Sequence, residues 1–430
     1  MNPPSTAKLI DVLRLFSASV ADQVMLSGAN FVAGFLMIRY TADVDYGQFV
    51  LAQSAVLLLI SAQGAWLSGP LSAIVPAKPP PLRRLMLGSV RTSQSRFLRW
   101  VGLCLLAATV ALYAVGLLTR GVAIVAGTTI LAGWAALQRE YLRAVLLIYS
   151  RPHSLLRSDV VYVALLICGI GLAAYWRHAP GPCAILALAL AALAGMLVSY
   201  RMLSADPGWV SGDSRPYREE IRSLGVWATV GAVTYWLFAQ SYNYVLATRL
   251  DLTAVAGVNA ARLVIMPIFV FSIGVNNLLM PLAANWLAQS GLSKMLRRLA
   301  AVAAIITVLD LIYIGVAWYF RDWIIGHLLH KTIADRDRLL LLWACVALIF
   351  LPREVLQAGL FALRRVKSMA TLIGLSAIVS LTLMWFGTAK WGAAAVLIGQ
   401  LAGECVNLAG LWWMMHVQGR PQELTPLNRP

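Results

Sequence analysis

The sequence predicts an all-α polytopic membrane protein, and three observations carry that prediction. Sixty per cent of the 430 residues are hydrophobic and only 12% are charged, against about 25% charged in an ordinary soluble domain. Apolar runs of about 20 residues, the length a helix needs to cross a hydrocarbon core of roughly 30 Å, recur along the whole chain. Only short connections separate them, and the basic residues gather there.

Twelve spans are expected, over 15–39, 48–75, 98–119, 121–149, 158–176, 180–200, 223–247, 254–287, 299–320, 339–365, 368–388 and 391–416. The first contains Asp22, Gln23 and Asn30, so it is too long and too polar for a cleaved signal peptide. With the N-terminus in the cytoplasm, the inner connections and tails collect 22 Lys and Arg and the outer ones 9. The positive-inside rule then places both termini, 76–97 and 201–222 in the cytoplasm, as in a bacterial inner membrane. The longest outer connection, Arg321 to Arg338, mixes Trp323, Ile325 and Leu328 with charges and reads as a short interfacial helix.

The chain also repeats. Arg39 to Gly47 and Arg249 to Gly257 have the same Arg-to-Gly spacing at an offset of 210, and Gln138-Arg-Glu-Tyr-Leu matches Pro352-Arg-Glu-Val-Leu at an offset of 214. Six spans fall in each half, so the repeat is parallel, the plan of many secondary transporters. The expected units are a bundle over 1–205, a cytoplasmic linker over 206–222 and a second bundle over 223–430.

The net charge of +17 is accounted for by topology, and no nucleic acid is expected. The five cysteines lie in or beside apolar runs without a CxxC pair, so neither disulfides nor metal ligands are expected. Asp43-Val-Asp45 is a DxD on the outer side, but the second repeat loses it, and His327 and His330 have no evident third ligand. No nucleotide, metalloprotease or serine-hydrolase fingerprint is present. No catalytic residue, metal or cofactor is assigned.

Nine ionisable residues lie well inside spans, away from their ends: Asp22, Arg139, Glu140, Arg143, Arg262, Asp310, Arg353, Glu354 and Glu404. Each costs roughly 2.5–3.5 kcal/mol at mid-helix facing lipid, so they must face a protein interior or a wet cavity. Arg139 and Arg143, at i and i+4, crowd like charges on one face. With Arg353 and Arg262 they form a ladder from inner to outer leaflet, suited to bidentate capture of phosphate. Structural pairing is the competing reading, with Glu140 reaching Arg143 at i+3 and Glu354 or Glu404 meeting Arg353 across helices. Asp22, Asp310 and Glu404 have no basic residue at helical spacing and are candidates for ion coupling, with Glu140 and Glu354 beside them.

Segments such as "FLMIRYTADVDYGQFVLAQS" and "WIIGHLLHKTIADRDRLLLLWACVALIFLPREVLQAGLFALRR" resemble the Wzx-type flippases of the multidrug/oligosaccharidyl-lipid/polysaccharide (MOP) exporter superfamily. The Arg-then-Tyr-Gly hallmark falls on Arg39, Tyr46 and Gly47. The resemblance implies two six-helix bundles around a central cavity. It also implies translocation of an undecaprenyl-pyrophosphate-linked oligosaccharide for O-antigen, capsule or exopolysaccharide assembly, beside other membrane proteins of that pathway. Lipid II flippases of the superfamily carry two more helices. A drug or cation exporter and a membrane polymerase or ligase are the alternatives, the last needing a larger outer loop than this chain has.

Overall fold

The computed structural model describes residues 6–176, 178–204, 212–363 and 365–417, and for 6–21, 273, 277, 366–367 and 416–417 the backbone only. Lys8, Arg14, both tails, Arg177, 206–211, Asn277, Arg364 and Lys367 therefore lie outside what is described of side chains or chain.

The chain is a multi-pass helical membrane protein. Helices run over Thr6–Tyr40 (α1), Asp43–Gln63 (α2), Gly69–Ile74 (α3), Pro80–Ala114 (α4), Arg120–Ile148 (α5), Pro152–Trp176 (α6) and Pro180–Ser204 (α7). They continue over Arg218–Gln240 (α8), Tyr242–Arg249 (α9), Leu252–Tyr319 (α10), Arg321–Trp323 (α11), Arg336–Ala362 (α12), Val366–Trp391 (α13) and Ala394–Val417 (α14). Among the described residues nine helical segments are long and apolar enough to cross a membrane. One of these is α10, whose 68 residues would extend about 100 Å if straight, too long for one crossing. Gly291, at φ 75° and ψ 172°, interrupts it between the expected eighth and ninth spans. With α1 in the first place and α8–α9 in the seventh, the order of twelve crossings follows the one expected.

Two compact units emerge, residues 1–233 and 234–430. In the first, α5 packs on α7, α6 on α7, α1 on α6 and α2 on α5. In the second, α12 packs on α14, α13 on α14, α9 on α13 and α10 on α12. The pairings correspond span for span, so the repeat in sequence is a repeat in packing.

One expected loop is a helix. Residues 80–97, placed in a cytoplasmic connection because of their arginines, are the first turns of α4. Pro80 opens the helix where a missing N–H costs nothing. Met86 and Leu87 are closed to solvent in a core with Tyr141, Leu142, Val145 and Ile221. The Tyr141 hydroxyl donates to the Leu87 carbonyl at 2.7 Å. Burial of one apolar stripe thus outweighs the charges on the other face of the same turns. The segment after α10 is helical as expected, with α11 followed by a π turn over Ile324–Leu328 that buries Ile325.

Candidate charge clusters and a lone arginine

The sequence-predicted ionisable residues fall into two clusters and two that stand alone. In the first unit, α5 carries Arg139, Glu140 and Arg143 one turn apart on a buried face. Arg143 lies 2.8 Å from Asp22 of α1, 2.8 Å from Glu140 and 2.9 Å from Asp159 of α6. Arg139 pairs with Glu140 at 2.8 Å and with Asp159, and stacks over the Tyr162 ring with its guanidinium carbon 3.7 Å from the centroid. Gly195 of α7 admits the Arg139 stem, for a Cβ there would sit 3.1 Å from Arg139 Cδ. The repulsion expected between Arg139 and Arg143 is cancelled by Asp159, which accepts from both and is wholly buried.

The second unit repeats the core of this arrangement. Arg353 of α12 pairs with Glu354 at 2.8 Å and lies 2.7 Å from Glu404 of α14. It donates to Gln357 Oε1 at 2.8 Å and stacks on Phe350 at 4.7 Å. Asn276 of α10 donates to Glu354 at 2.8 Å. The Arg-Glu dipeptide is common to both repeats, while the outside acids come from α1 and α6 in one and α14 in the other. Each cluster holds one more carboxylate than guanidinium.

Asp22 and Glu404, unpartnered along their own helices, are therefore partnered across them. Asp310 of α10 stays apart, 3% exposed with an Oδ2 that has no hydrogen-bond partner.

Arg262 is different. Among the described residues no carboxylate pairs with it. Its guanidinium lies 5.7 Å from the Trp343 ring and 5.8 Å from the Phe269 ring, and Nη1 donates to the Tyr242 hydroxyl at 3.3 Å. Tyr242 donates to Asn259, which donates to Asn243 at 2.7 Å. Trp343 is fixed by its indole N–H on the Val258 carbonyl at 3.0 Å. The result is a cation on an aromatic seat, joined to a chain of neutral hydrogen-bonding groups.

Sequence reasoning missed Asp159, which follows Arg157 and Ser158 at the mouth of a span and reads there as a solvated end. It also missed Tyr242 and Trp343, whose only sequence signal is aromatic residues near the arginine-bearing helices. The acidic pair 43–45 has a structural role in part: Asp45 accepts the Gly181 N–H at 3.0 Å, tying α2 to the start of α7.

No protein-family model matches the chain, and no curated protein matches its sequence. Solved structures do. The fold is similar to that of an inward-facing multidrug-resistance MATE transporter of the MOP superfamily, with TM-score 0.74 and 13% identity over 92% of this chain and 95% of that one. It is similar to the lipid II flippase MurJ in an inward closed conformation, with TM-score 0.68 and 11% identity over 94% and 87%. A MOP superfamily transporter from Pyrococcus furiosus, described by the reverse polarity of its binding pocket, follows at TM-score 0.61 and 12% identity over 94% of each chain. The chain thus has the fold of MOP superfamily transporters and flippases.

Proposed function

We propose that this chain is a flippase that moves an undecaprenyl-pyrophosphate-linked oligosaccharide from the cytoplasmic to the periplasmic leaflet of a bacterial inner membrane, for cell-surface polysaccharide assembly. The observation that carries this reading is Arg262. A guanidinium inside a membrane-spanning helix without a carboxylate is a costly arrangement unless an anion visits it. Its planar fork suits phosphate, and the neighbouring Tyr242, Asn259 and Asn243 suit glycan hydroxyls. Translocation of this kind breaks no covalent bond, so no catalytic residue is required.

Arg139, Arg143 and Arg353 enter the proposal in a changed role. Their donors already meet carboxylates, so phosphate capture there would first require a carboxylate to let go. The surplus carboxylate in each cluster instead gives room for one proton or one monovalent cation, whose uptake and release would drive transport. Asp22, Glu140, Asp159, Glu354 and Glu404 are the groups that would carry it. Asp310 is a further candidate carrier, on its burial alone.

A specific observation also favours a second reading, a drug or cation exporter. Both clusters have the polarity to hold an organic cation, and the fold is shared with MATE transporters. Replacing Arg262 with Ala separates the two. A flippase loses glycan-lipid transport, whereas a cation exporter loses a repulsive charge and keeps or gains activity.

A further inference from the structure

A cavity of about 510 Å³ opens in the first unit, lined by none of the charge-cluster residues. Its wall is built by an irregularity in the second span. Between α2 and α3 the helix widens into a π turn over Gly64–Ser68, which shifts the faces of the turns on either side. The turn carries Trp66 into the cavity wall. α8 seats directly on it, since a Cβ on Gly225 would lie 2.7 Å from the Trp66 carbonyl oxygen. No larger residue fits there without moving the two helices apart.

The cavity lining joins an apolar set of residues to a polar and basic one. Leu59, Trp66, Leu67, Phe97 and Leu98 form the apolar set. Among the polar lining groups, Gln94 donates to Gln63 Oε1 at 2.7 Å, while Gln94 Oε1 is buried with no partner. Ser93 and Ser214 hydroxyls meet at 2.6 Å, and Arg218 and Arg222 belong to the same lining. The acids nearby are Glu219, 4.0 Å from Arg222, and Glu220, held by Lys78 at 3.0 Å. Arg218 has no carboxylate partner among the described residues. Phe97 is 65% exposed and Trp227, two residues past Gly225, is 79% exposed. Apolar rings so exposed in a membrane protein belong against lipid, so the side of the cavity carrying Phe97 borders the bilayer.

We infer that this cavity binds the phosphate end of a polyprenyl-phosphate lipid of the cytoplasmic leaflet, as a station where the transported lipid docks before translocation. The inference rests on the proposed flippase function and names where its substrate first lodges. Arg218, Arg222 and the two serines would receive the phosphate, and the aromatic and leucine wall the first isoprene units. The choice of a polyprenyl lipid over a two-chain phospholipid follows from the proposed function.

The test uses the full chain, purified in detergent, with undecaprenyl phosphate as probe and native mass spectrometry as readout. Arg218→Gln with Arg222→Gln alters exposed residues only, so folding is preserved. It should weaken probe retention at least tenfold, and Gly225→Leu, which fills the seat on the π turn, should do the same. Equimolar phosphatidylglycerol should not displace the probe from the wild type. Unchanged retention in the double variant, or displacement by phosphatidylglycerol, overturns the inference. A wild type that flips glycan lipid in vesicles while the double variant retains the probe normally sinks the docking station alone. A wild type that flips no glycan lipid yet loses the probe on substitution sinks the transport reading and leaves the polyprenyl-phosphate site standing.

Discussion

Arg353 Nε lies 2.7 Å from Glu404 Oε2, joining α12 to α14 with both side chains closed to solvent. Removing one member of such a pair leaves a buried charge uncompensated, at a cost of about 3–5 kcal/mol. Arg353→Ala should therefore lower the thermal stability of the purified protein sharply. Arg353→Gln combined with Glu404→Gln should recover most of the loss, because both charges leave together. Thermal unfolding followed by tryptophan fluorescence checks this. If Arg353→Ala melts like the wild type, the pair does not hold the helices together.

The first unit gives a graded version of the same test. Asp159 is wholly buried and serves both arginines, whereas the Glu140 side chain is 19% exposed. Asp159→Asn should cost about 3–5 kcal/mol and Glu140→Gln under about 2 kcal/mol. Equal effects, or the reverse order in the same melting assay, would contradict Asp159 as the hub of the cluster.

Asp251 offers a pH-dependent contribution outside the spans. It caps α10, accepting from Thr253 Oγ1 at 2.5 Å and from the Ala254 N–H at 2.7 Å, and these bonds hold its carboxyl below the ordinary value. A depressed carboxyl contributes stability that is full above its unfolded value of roughly 3.9 and is lost as pH falls through the folded one. Asp251→Ala should thus cost about 1 kcal/mol near neutral pH and progressively less as pH falls through the folded value. A pH-independent difference in melting would show that the cap is not the origin.

Orientation is checked with single cysteines in a background freed of the five native ones. Asp213→Cys and Thr332→Cys are exposed positions on connections expected at opposite faces. In intact cells a membrane-impermeant maleimide should label position 332 and spare 213. Labelling of 213 alone would invert the assignment.

Much of this was legible in the sequence, and the physics says why. Apolar length and period report lipid contact, so the spans, their order and the repeat could be read directly. The Arg-Glu dipeptides at 139–140 and 353–354 marked the charged centres of both halves. What stayed hidden were partners across helices. Asp22 and Arg143 are 121 residues apart, and helical spacing carries no information about which spans adjoin. Glu404 therefore read as unpartnered although it meets Arg353, and Asp159 was missed because a charge at the end of a span looks solvated. The first turns of α4 failed for a related reason. Their arginines dominated the reading, while the stripe of Met86, Leu87 and Val90 that buries them shows only against Tyr141 and Ile221.

The central claim rests on what crosses the membrane. Wild-type protein and Arg262→Ala would be reconstituted in liposomes carrying a fluorescent undecaprenyl-pyrophosphate oligosaccharide, with transfer between leaflets read by an impermeant quencher. The account predicts transfer by the wild type that depends on an imposed proton or cation gradient, and its loss in Arg262→Ala at unchanged melting temperature. Accumulation of an organic cation by the same vesicles, with no movement of the glycan lipid, would contradict it.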